Sequence, residues 1–392
     1  MKLVFVHSEE KVRIDNNGRR YTDGSYNAEV WKRYKEFADE IVFLARREFL
    51  PLDEDIAKRR FNLLEGIKYV ELPDTKKNII DFISIKTYRK ISNIIEEEIK
   101  GADAVIIRLP GNTAAINICK RLKVPYVVEV VACTFDAYWN YGIKGKMIAL
   151  PFFVEMRRAV RCSQNVIYVT KAFLQRRYPT TGYNIGISDV EIQISEETIS
   201  RRKRYIDTIQ NRKIVIGTIG GVEVIFKGHE NVIKALGQLK QKHENAQYIY
   251  EIVGAGSPER LKSIAVKYGV EDSVVFMGAM PHEKINEWLD NIDIYIQPSK
   301  QEGMPRSVIE AMARGCYCVG TDVGGIPEII DKKNLCRKSN LVSDIVSILE
   351  NITVEQFEEE ASRNIEKAKN FDKNLLCKRR SAFYMKSLGE YK

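Results

Sequence analysis

The stretch QEGMPRSVIEAMARG, residues 301–315, sets two carboxylates, Glu302 and Glu310, eight positions apart across Gly303, Met304 and Pro305. As chemistry, a loop carboxylate and a helix carboxylate flanking a helix start form a pair able to bind and to catalyse. As structure, Ser307 and Glu310 spell the S-x-x-E capping box, in which each side chain satisfies a free N–H of the first turn. Pro305 just ahead also suits a helix start. Spacing alone leaves both readings open, so the elements around the stretch have to decide between them.

Those elements alternate. LVFV (3–6), EIVFLA (40–45), DAVIIRL (103–109), PYVVEVV (125–131) and NVIYVT (165–170) read as buried parallel strands, separated by amphipathic stretches such as YNAEVWKRYKEFA. After the polar helical stretch SEETISRRKRYIDTIQ the alternation restarts with KIVIGTIG, QYIYEIVG, SVVFMG, DIYIQPS and CYCVGTD. The expectation is an α/β chain of two tandem Rossmann-like, doubly wound domains, 1–205 and 206–370. A C-terminal helix, 371–392, returns to the first domain. In such sheets ligands bind beyond the carboxyl ends of the strands. In the second domain the first strand ends in Gly220 and Gly221 and runs on to Lys227. The second ends in GAGS, with Gly254 and Gly256, and the fourth ends in PSKQEGMP. Glycine loops, a lysine and the glutamate pair therefore meet at one rim, which argues against a mere helix cap.

Composition narrows the rest. At 392 residues the chain is long enough for two domains. Met1 leads straight into a buried-looking strand, so no secretory signal is expected, and the longest apolar run, 147–154, is far too short to span a bilayer. Seven scattered cysteines without a CxxC suit a reducing cytoplasm. Four histidines without ligand spacing point away from zinc. The net charge of +9 is concentrated: residues 101–180 hold twelve Lys and Arg against four Asp and Glu. A basic face suits nucleic acid or an anionic membrane, and no nucleic-acid-binding motif accompanies it.

The second domain resembles the nucleotide-sugar domain of retaining glycosyltransferases of the GT-B fold, family 4. The pattern E-G-x-P-x-x-x-x-E-A-x-A-x-G is carried by Glu302, Gly303, Pro305, Glu310, Ala311, Ala313 and Gly315. It is followed by G-x-P-E at Gly325, Pro327 and Glu328, and a K-G pair stands at Lys227 and Gly228. The first domain is similar, more loosely, to enzymes that build bacterial capsule, exopolysaccharide or O-antigen, through DGSYNAEVWKRY, IIRLPG, PYVVEVV and VIYVTKAFLQRRYP.

The resemblance implies two domains facing across a cleft. It implies a UDP- or GDP-sugar donor on the second domain and, on the first, a carbohydrate or lipid-linked acceptor from a growing surface polysaccharide. Glu310 then resembles the ribose-binding carboxylate, and Glu302 the residue at the donor hexose. Gly303 and Met304 offer N–H groups near a helix N-terminus, and Lys227 neutralises the diphosphate as it leaves. No catalytic base, cofactor or metal is implied.

Two departures stand out. Where the family carries arginine after the first-strand glycine, this chain has Val222, so Arg306 or Lys300 would have to replace it. The first domain lacks the family's histidine near Val131, leaving Glu129, Thr134 and Asp136 as candidates for the acceptor side. These departures keep two alternatives open: a UDP-sugar epimerase of similar fold, and a sugar-nucleotide-binding subunit without catalysis.

Three other stretches invite a reading. Asp53-Glu54-Asp55 spells a metal-binding D-x-D but reads as a cap on a basic helix. Gly24, in Asp23-Gly24-Ser25, is either a glycine loop closing over a diphosphate or a plain turn. Residues 140–161 hold an apolar middle between basic ends, suited either to an anionic membrane surface or to core packing. The expected location is the cytoplasm or the inner face of the cell membrane.

Overall fold

The computed structural model describes residues 1–22, 26–52, 54, 57, 61–74, 84–140, 142–243 and 248–389. Asp53, Asp55 and Gly24 lie outside the described residues. Contacts divide the chain into two units. One is Met1–Trp139 with Ile143–Ile187 and Cys377–Lys392; the other is Asn140–Gly142 with Ser188–Leu376.

The first unit holds β1 (Lys2–Asp15), β2 (Arg20–Thr22), β3 (Glu40–Leu52), β4 (Asn62–Leu63), β5 (Lys68–Leu72), β6 (Ala104–Leu109), β7 (Tyr126–Val130), β8 (Asn165–Tyr168) and β9 (Tyr183–Gly186). A parallel run in the order β5-β3-β1-β6-β7-β8-β9 forms the sheet. Val4, Phe5, Ile106, Val127 and Val128 are fully buried in it, as apolar runs covered on both faces must be. β1 continues well beyond the apolar LVFV. Its charged outer half pairs antiparallel with β2, which pairs in turn with β4.

The second unit holds β10 (Ile214–Ile219), β11 (Tyr248–Val253), β12 (Val274–Gly278), β13 (Ile294–Gln297), β14 (Tyr317–Thr321) and β15 (Leu335–Cys336). Their order is β12-β11-β10-β13-β14-β15, with every pairing parallel. Strand order therefore reverses between β10 and β13, and the crevice at such a reversal is where this kind of sheet takes its ligand.

The boundary between units falls at Ile187/Ser188, not near residue 205. The reason is a buried arginine. Arg202, on the helix Glu196–Ile206, donates to the carbonyls of Leu289 (2.8 Å), Ile292 (2.8 Å) and Arg314 (2.6 Å). A helix this polar gives no sign in sequence of which domain it packs on, yet the charge of Arg202 is spent on capping free carbonyls of the second unit. At the other end, the helix Lys373–Leu388 groups with the first unit from Cys377 onward. Tyr384 there donates to Glu129 Oε1, which also accepts from Tyr34 (3.2 Å), while Arg108 holds Oε2 at 2.7 Å. Phe383 stacks on Tyr183 at 4.8 Å.

Within the second unit the connections after β10 and β13 interlock through their backbones. The Lys300 N–H donates to the Phe226 carbonyl at 2.7 Å. Gly228 adopts φ +76°, and a Cβ there would stand 1.9 Å from the Pro298 carbonyl oxygen. Only glycine meets both conditions. Gly228→Ala should therefore destabilise the chain by about 2 kcal/mol or more, combining left-handed strain with overpacking. A urea midpoint unchanged from the wild type would show that the two loops are not locked in this way.

Candidate functional site

Glu302 sits in the connection after β13, and its carboxylate is gripped on one side. Lys227 Nζ (2.8 Å), Ser299 Oγ (2.7 Å) and Gln297 Nε2 (3.0 Å) all donate to Oε1. Among the described residues Oε2 has no hydrogen bond. The donors are themselves held. Gln297 Oε1 accepts from Tyr295 OH (2.9 Å) and Ser307 Oγ (3.2 Å), and Tyr295 OH accepts from the Ile219 N–H (3.2 Å). Each proton in this chain points toward Glu302, so the polarity is consistent from the end of β10 to the carboxylate. Tyr295, Gln297 and Ser299 are fully buried, which keeps the network stiff. Burial raises the Tyr295 phenol well above its usual range, and the nearby Glu310 and Glu302 carboxylates add to the rise. It remains a neutral donor.

The capping box does not form. The helix Arg306–Ala313 begins one residue before Ser307, has Pro305 as its N-cap and has no side-chain cap. Ser307 instead donates to Gln297, one layer behind Glu302. Glu310 is half-buried, more than a turn into this helix, and close enough to Tyr295 for its charge to be felt there. Pro305 is buried, Met304 half-buried and Arg306 exposed. The Gly303 carbonyl accepts from the Gly325 N–H at 2.8 Å, while Gly324, at φ +60°, would carry a Cβ only 2.0 Å from the Glu302 carbonyl oxygen. The G-G-x-P turn after β14 thus presses on the backbone that presents Glu302.

The glycine loops meet the same rim. The Gly220 N–H donates to Val253 at 2.8 Å, and a Cβ at Gly254 would lie 2.0 Å from the Gly220 carbonyl oxygen. The Val222 N–H donates to Ala255, and the Ser257 N–H to Glu223 Oε1, both at 3.0 Å. Gly256 accommodates the Glu223 side chain, and Gly221 faces Val224. The Val222 side chain is buried in the core with Val232, Leu236 and Leu261. The absence of arginine there has a physical counterpart, since this position belongs to the core.

On the acceptor-side candidates the structure differs from the sequence reading for Glu129. Both its oxygens are engaged by Tyr34, Tyr384 and Arg108, and it is buried within the first unit, so it is a structural carboxylate. Thr134 is also buried, with its N–H and hydroxyl both on Tyr178 OH (2.9 and 2.8 Å). Asp136 lies 3.6 Å from Arg177. Among the described residues no group of three His, Cys, Asp or Glu side chains is placed to hold a metal ion.

Sequence reasoning missed Gln297, Ser299, Arg260 and His229. Gln297 and Ser299 continue a strand's alternation, which marks them as inward-facing but not as Glu302's partners. Arg260 pairs with Glu230 at 2.8 Å. Burial would raise the Glu230 carboxyl, but Arg260, Lys234 and Lys300 outweigh that and hold it below its usual range. His229 opens the helix His229–Lys242 and is 1% exposed. Burial drives its imidazole down to about 4, with Lys227 and Arg260 pressing the same way against the backbone of Gly220 and Gly221.

The residues that bear chemistry thus stand where the strand order reverses in a parallel α/β sheet. Residues 201–371 match the family described as glycosyl transferases group 1. Protein CapJ of Staphylococcus aureus is 32% identical over 366 residues, spanning 92% of this chain and 88% of that protein. The chain belongs to the group 1 glycosyl transferases and has their GT-B fold. A putative teichuronic acid biosynthesis glycosyltransferase of Bacillus subtilis, TuaC, is 24% identical over 57% of this chain and 54% of its own length. Among solved structures, sucrose-phosphate synthase of Thermosynechococcus elongatus aligns over 98% of both chains with a TM-score of 0.68 at 14% identity. Anabaena HepE in complex with UDP-glucose aligns over 98% of this chain and all of its own, with a TM-score of 0.62 at 16% identity.

The buried imidazole generates a test of stability. A histidine whose folded pKa lies below its unfolded value adds stability above the unfolded pKa, and that stability is lost as pH falls. Between pH 6.5 and about 4 the unfolded chain binds the proton that the folded chain refuses. Acidification across this window should therefore cost about 3 kcal/mol through His229 alone. The difference in urea midpoints between wild type and His229→Asn, followed from pH 7 to 4.5, measures it. Parallel curves for the two proteins would contradict the assignment.

Proposed function

We propose that the chain moves a sugar from a nucleotide-sugar donor, UDP- or GDP-linked, to an acceptor hydroxyl with retention. The acceptor is a lipid-linked or growing surface polysaccharide of the capsule type, made at the inner face of the cell membrane. The reading rests above all on Glu302: one oxygen is fixed by three donors and the other has none among the described residues, which suits a carboxylate that positions a donor hexose. Lys227, which holds that carboxylate, also carries the charge a departing diphosphate needs. Glu310 takes the vicinal ribose hydroxyls, with Gly303 and Met304 supplying N–H groups. The bond from the anomeric carbon to the diphosphate breaks as the acceptor oxygen bonds to the same face. The acceptor proton passes to the leaving diphosphate, and no metal is assigned to the reaction. The relatives CapJ and TuaC support the polysaccharide setting, and the HepE complex with UDP-glucose supports the donor class.

The membrane surface enters through the helix Gly142–Arg161. Gly145, Ala149, Met156 and Val160 are buried on one side, while Ile143, Met147 and Leu150 are 81%, 75% and 59% exposed at i, i+4 and i+7. Lys144 and Lys146 are exposed beside them. Core packing and an unpartnered apolar stripe thus coexist on one helix, and no helix among the described residues is long and apolar enough to cross a membrane. Apolar side chains at the interface and lysines at anionic headgroups, each worth about 1 kcal/mol, suit a lipid surface.

Two experiments follow. In a thermal-shift screen, a UDP- or GDP-sugar should stabilise the chain, and Glu310→Ala should weaken that donor about 10- to 100-fold, the worth of one or two hydrogen bonds to a charged group. Undiminished binding by the variant would remove Glu310 from the site, and absence of donor hydrolysis or transfer would favour the binding-only alternative. In flotation assays, phosphatidylglycerol vesicles should retain the chain at low salt and release it at high salt. Ile143→Asp with Met147→Asp should abolish retention, whereas failure to bind at low salt would end the membrane assignment.

A further inference from the structure

His229 is a buried ionisable side chain at the rim that the reaction above does not use. Its Nδ1 lies 3.2 Å from Tyr250 OH, which donates to Thr218 Oγ1 at 3.1 Å, which in turn donates to the Ile296 carbonyl at 2.8 Å. That carbonyl can only accept, so each hydroxyl proton points away from the ring. Tyr250 has no proton left for the imidazole, and Nδ1 must be the donor. In the neutral ring Nε2 is then a bare lone pair, buried and without a hydrogen-bond partner among the described residues. It faces the glycine loop: a Cβ at Gly220 would stand 3.4 Å from Nε2, and 3.1 and 3.2 Å from Cγ and Cδ of Lys227. Ring and lysine stem therefore share the space over Gly220.

A buried acceptor with no donor is costly, and the cost has no structural return in the free protein. The charged groups around it explain why it persists. Lys227 on the preceding turn and Arg260 on the helix Glu259–Lys267 both disfavour a second proton on the ring. Glu302 and Glu230, their carboxylate partners, are already committed to them. Two negative charges arriving beside Lys227 would reverse that balance, since an anion favours the charged form of a nearby base. The ring then has a use for both protons, with Nδ1–H on Tyr250 and Nε2–H turned to the backbone of Gly220 and Gly221.

We propose that His229 is a proton-linked positioning residue. Neutral and Nδ1-protonated in the free protein, it takes one proton from solvent at Nε2 when a sugar-nucleotide diphosphate docks on the glycine loops, and so fixes the Gly220–Gly221 backbone against the donor. This rests on the nucleotide-sugar reading above. It makes donor affinity rise as pH falls, by up to tenfold per pH unit between the free and bound pKa values.

Imidazole-labelled protein provides the test, because only four histidines contribute signals. Long-range proton–nitrogen spectra near pH 6.5 should show His229 neutral with the proton on Nδ1. UDP-glucose or GDP-glucose, whose diphosphates do not titrate in this range, should convert the bound form to a doubly protonated ring. Calorimetry in buffers of different ionisation enthalpy should show net proton uptake on binding. His229→Asn, checked for folding by its melting curve, should bind with no proton uptake and a flat pH profile. If a donor binds while His229 stays neutral and affinity is independent of pH, or if the free ring carries its proton on Nε2, the inference falls and the donor site stands. If neither nucleotide sugar shifts the melting temperature, the donor reading fails and the inference with it.

Discussion

The site turns on one oxygen. Glu302 Oε1 receives a lysine, a serine and a glutamine side chain within 3.0 Å, drawn from two separate connections of the sheet. A carboxylate on a loop would ordinarily sample several rotamers, and ordering it costs entropy. Here that cost is met within the fold itself, by buried residues at the end of β13 and by Lys227 ahead of the next helix. The second oxygen is thereby aimed without being used. Preorganisation of this kind matters most where charge moves during a reaction, because the donors need not reorganise when it does.

The anchoring depends on loops that cannot drift apart. Gly228 against Pro298, Gly254 against Gly220 and Gly324 against Glu302 are all places where a Cβ would stand within about 2 Å of a carbonyl oxygen. The backbones after β10, β11, β13 and β14 are therefore stacked closer than side chains permit. This explains why glycine recurs at the rim more convincingly than flexibility does: the loops are held, and the glycines allow the holding. It also explains Val222. With its N–H tied to Ala255 and its side chain in the core, position 222 braces the loop from below. Cationic character at the rim then comes from Lys227, with Arg260 and Lys300 near Glu230.

Much of the second unit was legible because its strands are short apolar runs ending in glycine or proline, and strand ends locate a ligand crevice without any knowledge of side-chain geometry. The position of Glu302, Lys227 and the glycine loops followed from that alone. What was not legible has a common cause: polar residues used inside. Arg202 lies on a polar helix that the sequence reading puts at the end of the first domain, although its buried bonds go to the second unit, and the charged SEEKVRID hid the outer half of β1. Glu129 stood as an acceptor-side candidate because it lies near the position of the missing histidine, yet it is the hub that ties the C-terminal helix to the first sheet. Gln297 and Ser299 were invisible as partners because their roles depend on a register that only the folded chain fixes. Ser307 is the sharpest case. Its spacing to Glu310 satisfied the capping pattern, but the N-cap is Pro305 rather than Ser307, and that two-residue offset turns the hydroxyl from the helix end toward Gln297.

That offset decides the meaning of the glutamate pair. With Ser307 engaged behind Glu302, Glu310 is not called on to close a capping box, and it shares with Glu302 the electrostatic surroundings of Tyr295. Both carboxylates raise the same buried phenol, and Glu302 is anchored by the polar network behind it. A sugar nucleotide, with hydroxyls at both ends and two negative charges between them, requires acceptors at its ends and cations at its middle. In the proposed function those roles fall to Glu302, Glu310 and Lys227, and the loop contacts at Gly228, Gly254 and Gly324 are what hold the backbone that presents them.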